Sequence, residues 1–126
     1  MPSRFRGLVA YQLAAALANE IHAAVRAWSV FDQTTCGGQL VRAIDSVGAN
    51  IAESSGRWHA ADKRQLLIVA RGSLLEAEHW LVCAEERGLI DVGTSCRIDE
   101  IARALNGLIR RPAPSAGRGQ PTAGKK

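Results

Sequence analysis

Glu76, Ala77, Glu78 and His79 spell Glu-x-x-His, which on a helix sets a carboxylate and an imidazole on adjoining turns. Di-iron bundles use that spacing, but they need two copies and two further glutamates. The residues three positions before His22 and His59 are Asn19 and Gly56, so no second copy exists. His79 also falls away from the main apolar face of its segment and reads as a surface or interface histidine. Nucleophilic chemistry would require an activated Ser or Cys beside a base. Ser73 lies in an apolar stripe and reads, with Gly72, as a small residue that lets helices approach closely. Cys83 and Cys96 lack metal-ligand spacing and read as core fillers. Gly37 and Gly38 are not followed by the Lys and Ser or Thr of a phosphate loop. No catalytic residue, metal site or cofactor is expected, and the chain reads as a non-enzyme.

Two polar constellations remain. Ser46, Asn50, Glu53 and Arg57, spaced i, i+4, i+7 and i+11, fall on one side of a helix, nearly opposite Leu40, Ile44, Val47, Gly48 and Ile51. A buried polar group left without a partner costs about 1 to 3 kcal/mol. The stripe therefore predicts a structural network or interface in which Asn50 and Glu53 meet Arg71, Ser73 or Glu76; a recognition surface is the alternative. The second constellation gathers Arg57, Lys63, Arg64 and Arg71, with Trp58 and His59 interleaved and Asp62 among them. Cations beside stacking aromatics mark nucleic-acid binders, whereas a solvated helix end is the plainer reading. Arg110 and Arg111 complete the set of candidate nucleic-acid contacts.

Four amphipathic segments must position these residues. Leu13, Leu17, Ile21, Val25 and Trp28 repeat at fours and threes and predict a first helix from Leu8 to about Trp28. Phe31 to Gly38 reads as a loop, and a second helix follows from about Gln39 to Ser55, with Gly56 suited to a left-handed C-cap. After the link Arg57 to Ala61, a third helix runs to about Arg87, where Gly88 ends it. Leu66, Ala70, Ser73, Leu74, Ala77, Leu81 and Ala84 form its main apolar face. A second row, Ile68, Leu75 and Val82, recurs every seven residues on the other side and predicts self-association, because a monomeric bundle has no use for it. After the turn at Gly88 to Gly93, Thr94 or Ser95 is placed to cap a fourth helix carrying Ile98, Ile101, Leu105, Leu108 and Ile109. With no strand signal, the expected fold is an all-α, antiparallel up-down-up-down four-helix bundle over residues 8–111. Residues 1–7 form an arm, and residues 112–126 a basic, Pro- and Gly-rich tail expected to be disordered.

The 126 residues suffice for one domain with a real core, 47% of them being hydrophobic. The formal charge of +4 misleads as a nucleic-acid signal. Arg110, Arg111, Arg118, Lys125 and Lys126 meet no acid, and residues 1–109 hold eleven Lys and Arg against twelve Asp and Glu, a net of −1. The basic character thus belongs to the C-terminal end. Three cysteines, an odd number, with no apolar leader run, read as reduced thiols in a cytoplasmic protein. Charges interrupt every apolar stretch before it reaches a membrane span.

The set Ser46-Val47, Asn50-Ile51-Ala52-Glu53, Gly56-Arg57, Ala70-Arg71-Gly72-Ser73-Leu74, Glu76 and Gly88-Leu89-Ile90 resembles a family of four-helix bundles. Its members were first noticed as reading frames in the intervening sequences of bacterial 23S ribosomal RNA genes. The resemblance covers about residues 5 to 109. Where Gly48, Lys63 and His59 stand, the family usually has Pro, an aromatic or aliphatic residue, and Ser or Thr. The resemblance implies an antiparallel bundle assembled into a five-fold ring, with no established enzymatic activity. It also implies kinship with accessory proteins of diversity-generating retroelements, basic rings that bind a reverse transcriptase and nucleic acid. Together these readings predict a homo-oligomeric, ring-forming scaffold or adaptor for an unidentified protein partner. The alternative is a nucleic-acid-binding accessory factor.

Overall fold

The structure, a computed structural model, describes residues 4–111. Its four principal helices are α1 (Val9–Arg26), α2 (Gly38–Ser55), α3 (Ala60–Glu86) and α4 (Arg97–Arg110). They run up-down-up-down, each packing on its neighbour in sequence, while α1 closes against α4. The apolar spacing read from the sequence explains the arrangement. Leu17 and Ile21 of α1, Leu40, Ile44, Val47 and Ile51 of α2, Leu74 and Leu81 of α3, and Ile98, Ile101 and Leu105 of α4 are almost wholly buried in one cluster. Each such side chain contributes about 1.5 to 3 kcal/mol through burial. Alanines Ala10, Ala14 and Ala18 on α1 and Ala70, Ala77 and Ala84 on α3 are also buried, so these helices present small side chains to their partners. The central residue of the first α3 turn in the core is Leu67 rather than the expected Leu66, which is half-buried.

Several local expectations change. The stretch Phe31 to Gly38 is helical rather than a loop: a turn at Val30–Asp32 and a π-helical segment at Gln33–Gly37 lead straight into α2. Ser29 Oγ accepts from the Asp32 N–H at 3.2 Å and donates to the Asp32 carboxylate at 3.0 Å, a variant of the capping box that starts this helix firmly. Gln33 reaches back to the Val25 and Arg26 carbonyls, satisfying the end of α1. The glycine that looked like a loop residue serves packing instead. A Cβ on Gly37 would stand 2.8 Å from Val25 Cγ1 and 2.9 Å from the Asp32 carbonyl oxygen.

Gly56 ends α2 without entering the left-handed region, at φ −94°. Gly88 does enter it, at φ +71°, and closes α3 as a full Schellman motif, with Leu89 N–H bonded to the Ala84 carbonyl at 2.8 Å and Gly88 N–H to Glu85 at 3.1 Å. Neither Thr94 nor Ser95 caps α4 with its side chain; both sit in a 3-10 turn, Thr94–Cys96, ahead of it. Glu85 does the capping from α3. Its Oε2 accepts the Gly93 and Ser95 N–H groups at 3.1 and 2.8 Å, and its Oε1 the Ser95 hydroxyl at 3.0 Å. The Ser95 N–H, with the other donors of this turn, holds the Glu85 carboxyl below its ordinary pKa.

The N-terminal arm folds onto the bundle from Arg4. A 3-10 turn, Arg4–Gly7, lays Phe5 edge-on to Tyr11, ring centroids 4.9 Å apart, and Gln12 donates to the Arg6 carbonyl at 2.8 Å. The tail expected at 112–126 lies outside the described residues. Among the described residues, no helix is long and apolar enough to cross a membrane.

Candidate functional site

The polar stripe on α2 divides into two parts. Ser46 and Ser73 hydroxyls meet at 2.9 Å across the α2–α3 seam, and the Asn50 amide donates to Ser46 Oγ at 3.0 Å and to its carbonyl at 2.8 Å. All three residues are half-buried, so this small network ties the two most extensively packed helices. Glu53 instead pairs with Arg57 on its own exposed side of α2. Arg71 turns to the other flank of α3, donating to Asn106 of α4 at 3.4 Å, and Glu76 accepts from Trp80 Nε1 at 3.3 Å. The structure therefore joins Asn50 with Ser73 through Ser46, and places Glu53, Arg71 and Glu76 elsewhere.

Up-down-up-down connectivity puts the start of α1, the end of α2, the start of α3 and the end of α4 at one end of the bundle. Residues distant in sequence converge there. Arg4, Lys63, Arg64 and Arg111 rim a cavity of about 400 Å³ whose floor is Leu8, Leu67, Leu108 and Ile109. A neighbouring depression of about 560 Å³ shares Arg4 and Lys63 and adds Phe5, Arg57 and Trp58. Trp58 is 92% exposed, an unusual position for the largest apolar side chain. Of the predicted cationic set, Arg57, Lys63, Arg64 and Arg111 come together at this end. Arg110 is exposed in the last turn of α4 but lines neither depression, and Arg71 is absent from both. Asp62 lines neither as well, so the acid beside these cations in sequence does not enter the cavities. Sequence reading missed Arg4, Leu8 and Leu108 as members, since only the closure of α1 on α4 brings them together.

The outer side of α3 carries the heptad row. Leu75 is 57% exposed and Val82 38%, whereas Ile68 is half-buried and packs against the core. Gly72, on the same side, would place a Cβ with no heavy atom within 4 Å. His79 is also exposed there, edge-on to Trp80 at a centroid distance of 4.8 Å, with Nε2 3.7 Å from Cys83 Sγ. Among the described residues no group of three or more His, Cys, Asp and Glu is arranged to hold a metal ion. The cysteine expectation is corrected: Cys36 is the buried one, while Cys83 is half-buried and Cys96 exposed. Cys83 lies near the buried Cys36, and Cys96 precedes the first turn of α4. Burial pushes the Cys36 thiol pKa up.

The pattern of the 23S rRNA-intervening sequence proteins matches residues 6–111. The chain belongs to that family. As a 23S rRNA-intervening sequence protein, it keeps within the matched span all four helices and the basic end except Arg4. A crystal structure of a protein of unknown function from the S23 ribosomal protein family of Bacteroides thetaiotaomicron VPI-5482 is similar, with a TM-score of 0.70 and 22% sequence identity. The similarity covers 82% of this chain and 100% of that one, and it shows the bundle fold. No curated protein matches this member of the family.

Proposed function

We propose that this 23S rRNA-intervening sequence protein is a non-enzymatic, cytoplasmic scaffold that assembles with copies of itself, as a five-fold ring, and presents its surface to a protein partner. The observation that carries this reading is the outer side of α3, where Leu75 and Val82 remain exposed at seven-residue spacing beside the open Gly72. Exposed apolar rows on a bundle are stabilised when a second helix covers them, and a five-fold ring is what the family resemblance implies. Light scattering on the purified full chain at micromolar concentration tests it. A mass several times the 13.5 kDa of the chain is expected, and a monomer overturns the proposal.

A second reading is favoured by one further observation, the exposed Trp58 flanked by Arg4, Arg57 and Lys63. Such a group offers a stacking face within a cationic field, which suits single-stranded nucleic acid, and repetition around a ring would make weak contacts multivalent. Titration of a single-stranded oligonucleotide at several salt concentrations checks it. Affinity should fall steeply as salt rises; no binding at low salt removes this reading and leaves the scaffold.

A further inference from the structure

We propose that the cavity at the basic end is a binding site for a small amphipathic anion, a carboxylate or phosphate ester carrying an aliphatic chain. The cavity pairs two surfaces. Its floor is aliphatic, built from Leu8 at the entry to α1, Leu67 on α3, and Leu108 and Ile109 at the end of α4. Its rim holds Arg4, Lys63, Arg64 and Arg111, and among the described residues no acidic one lines it. None of these four cations takes part in the ion pairs formed among the described residues, which join His22 to Asp45, Arg57 to Glu53 and Arg97 to Glu20. Four like charges around one opening repel one another, and an anion seated between them relieves that repulsion. The start of α3 adds to the same field. Ala60 and Ala61 of its first turn line the cavity, and His59 occupies the N-cap with no side-chain hydrogen bond, so the first-turn N–H groups have no capping acceptor from that residue.

Size and lining decide the class of ligand. A cavity of about 400 Å³ lies within the range that takes small molecules, about 300 to 1,000 Å³. Among the described residues no aromatic side chain lines it, so a nucleobase would find none there to stack on; Phe5 and Trp58 belong to the neighbouring depression. An aliphatic chain matches the Leu and Ile floor, and its anionic head meets the Arg and Lys rim. Ser54, 4% exposed, adds a buried hydroxyl oxygen to the lining; its proton is given to the Ile51 carbonyl at 2.7 Å. The same head-and-chain chemistry is found in free acyl anions and in membrane phospholipids, but a half-buried cavity at a bundle end suits the free molecule.

Calorimetric titration of the full chain with octanoate and with octyl phosphate tests the site, with acetate, inorganic phosphate and octanol as controls that carry only one half of the chemistry. Saturable binding of at least one eight-carbon anion is expected, with every control about tenfold weaker or worse. The Lys63→Glu/Arg64→Glu variant, altered only at the rim, should lose about tenfold or more in affinity while its thermal midpoint stays near that of the parent. Leu108→Ser should weaken the eight-carbon anions and leave inorganic phosphate unchanged. Co-sedimentation with anionic phospholipid vesicles separates the sources. Vesicle binding without octanoate or octyl phosphate binding overturns the proposal in favour of a membrane surface, and equal affinity for phosphate and octyl phosphate overturns the aliphatic half. Absence of binding by every probe overturns it entirely.

Discussion

Replacing Glu85 by Ala should unfasten the turn between α3 and α4, and the cost follows from its three hydrogen bonds. The carboxylate accepts from two backbone N–H groups, at 2.8 and 3.1 Å, and from the Ser95 hydroxyl at 3.0 Å. Bonds to a charged acceptor contribute about 1.5 to 3 kcal/mol each when buried, but Glu85 is only half-buried and water can replace much of what it gives. Measured losses of helix caps, about 1 kcal/mol with an upper range near 2, are the better guide. A destabilisation of about 1 to 2 kcal/mol should lower the thermal midpoint by about 4 to 8 °C in a domain of this size. The sign of the pH dependence is fixed by the depressed folded pKa. A depressed carboxyl contributes stability that is fully present above its unfolded value, near 4.5, and is lost as pH falls through the lower folded value. The gap between the parent and Glu85→Ala should therefore be constant from pH 6 to 8 and narrow below about pH 4.5. Glu85→Gln, which keeps an acceptor but no charge, should fall between the two. Scanning calorimetry at a fixed protein concentration measures these midpoints. Equal midpoints at pH 7, or a gap unchanged down to pH 3, would refute the assignment of Glu85 as the cap.

Four other substitutions test neighbouring parts of the structure. Gly37→Ala drives a methyl to 2.8 Å from Val25 and 2.9 Å from the Asp32 carbonyl, so urea unfolding should show a loss of about 1 to 3 kcal/mol despite the better helix propensity of Ala. Ser73→Ala removes one half of the hydroxyl pair with Ser46 and should cost about 0.5 to 1.5 kcal/mol, while Asn50→Leu should cost more because it removes two hydrogen bonds, to the Ser46 carbonyl and hydroxyl oxygens; both are read by chemical denaturation. In a Leu75→Glu background, Gly72→Ala should raise the thermal midpoint, because the added Cβ meets nothing within 4 Å and Ala exceeds Gly in a helix by about 1 kcal/mol; a fall would mean that this side of α3 is already covered.

The bundle was legible because each helix repeats its apolar residues at threes and fours, and Ile44, Val47 and Ile51, or Leu74, Ala77 and Leu81, can meet a core in only one way. Two kinds of feature were not. Gly37 and Gly38 carry the composition of a loop, yet they sit in a continuous helical stretch because Val25, Trp28 and the Asp32 carbonyl leave no room for a side chain at Gly37. That reason lies in a neighbouring helix and has no local signature. Glu85, likewise, caps a turn that begins eight residues later, a reach that capping rules based on adjacent residues do not cover. The basic end was half legible. Arg57, Lys63 and Arg64 cluster in sequence, but Arg4 and Arg111 join them only because an even number of antiparallel helices returns both chain ends to one side. Arg71, adjacent in sequence pattern, is carried one flank away by the turn of α3 and spends its guanidinium on Asn106.

Sedimentation velocity of the parent chain and the Leu75→Glu variant, run side by side over a concentration series, tests self-association through α3 most directly. Leu75 is already 57% exposed, so the charge should change the fold of a single subunit by less than about 0.5 kcal/mol, whereas covering it between copies would cost far more. Self-association through α3 gives a single oligomeric species for the parent and a monomer of 13.5 kDa, with unchanged helical content, for the variant. Identical sedimentation of the two, as monomers or as oligomers, would contradict it.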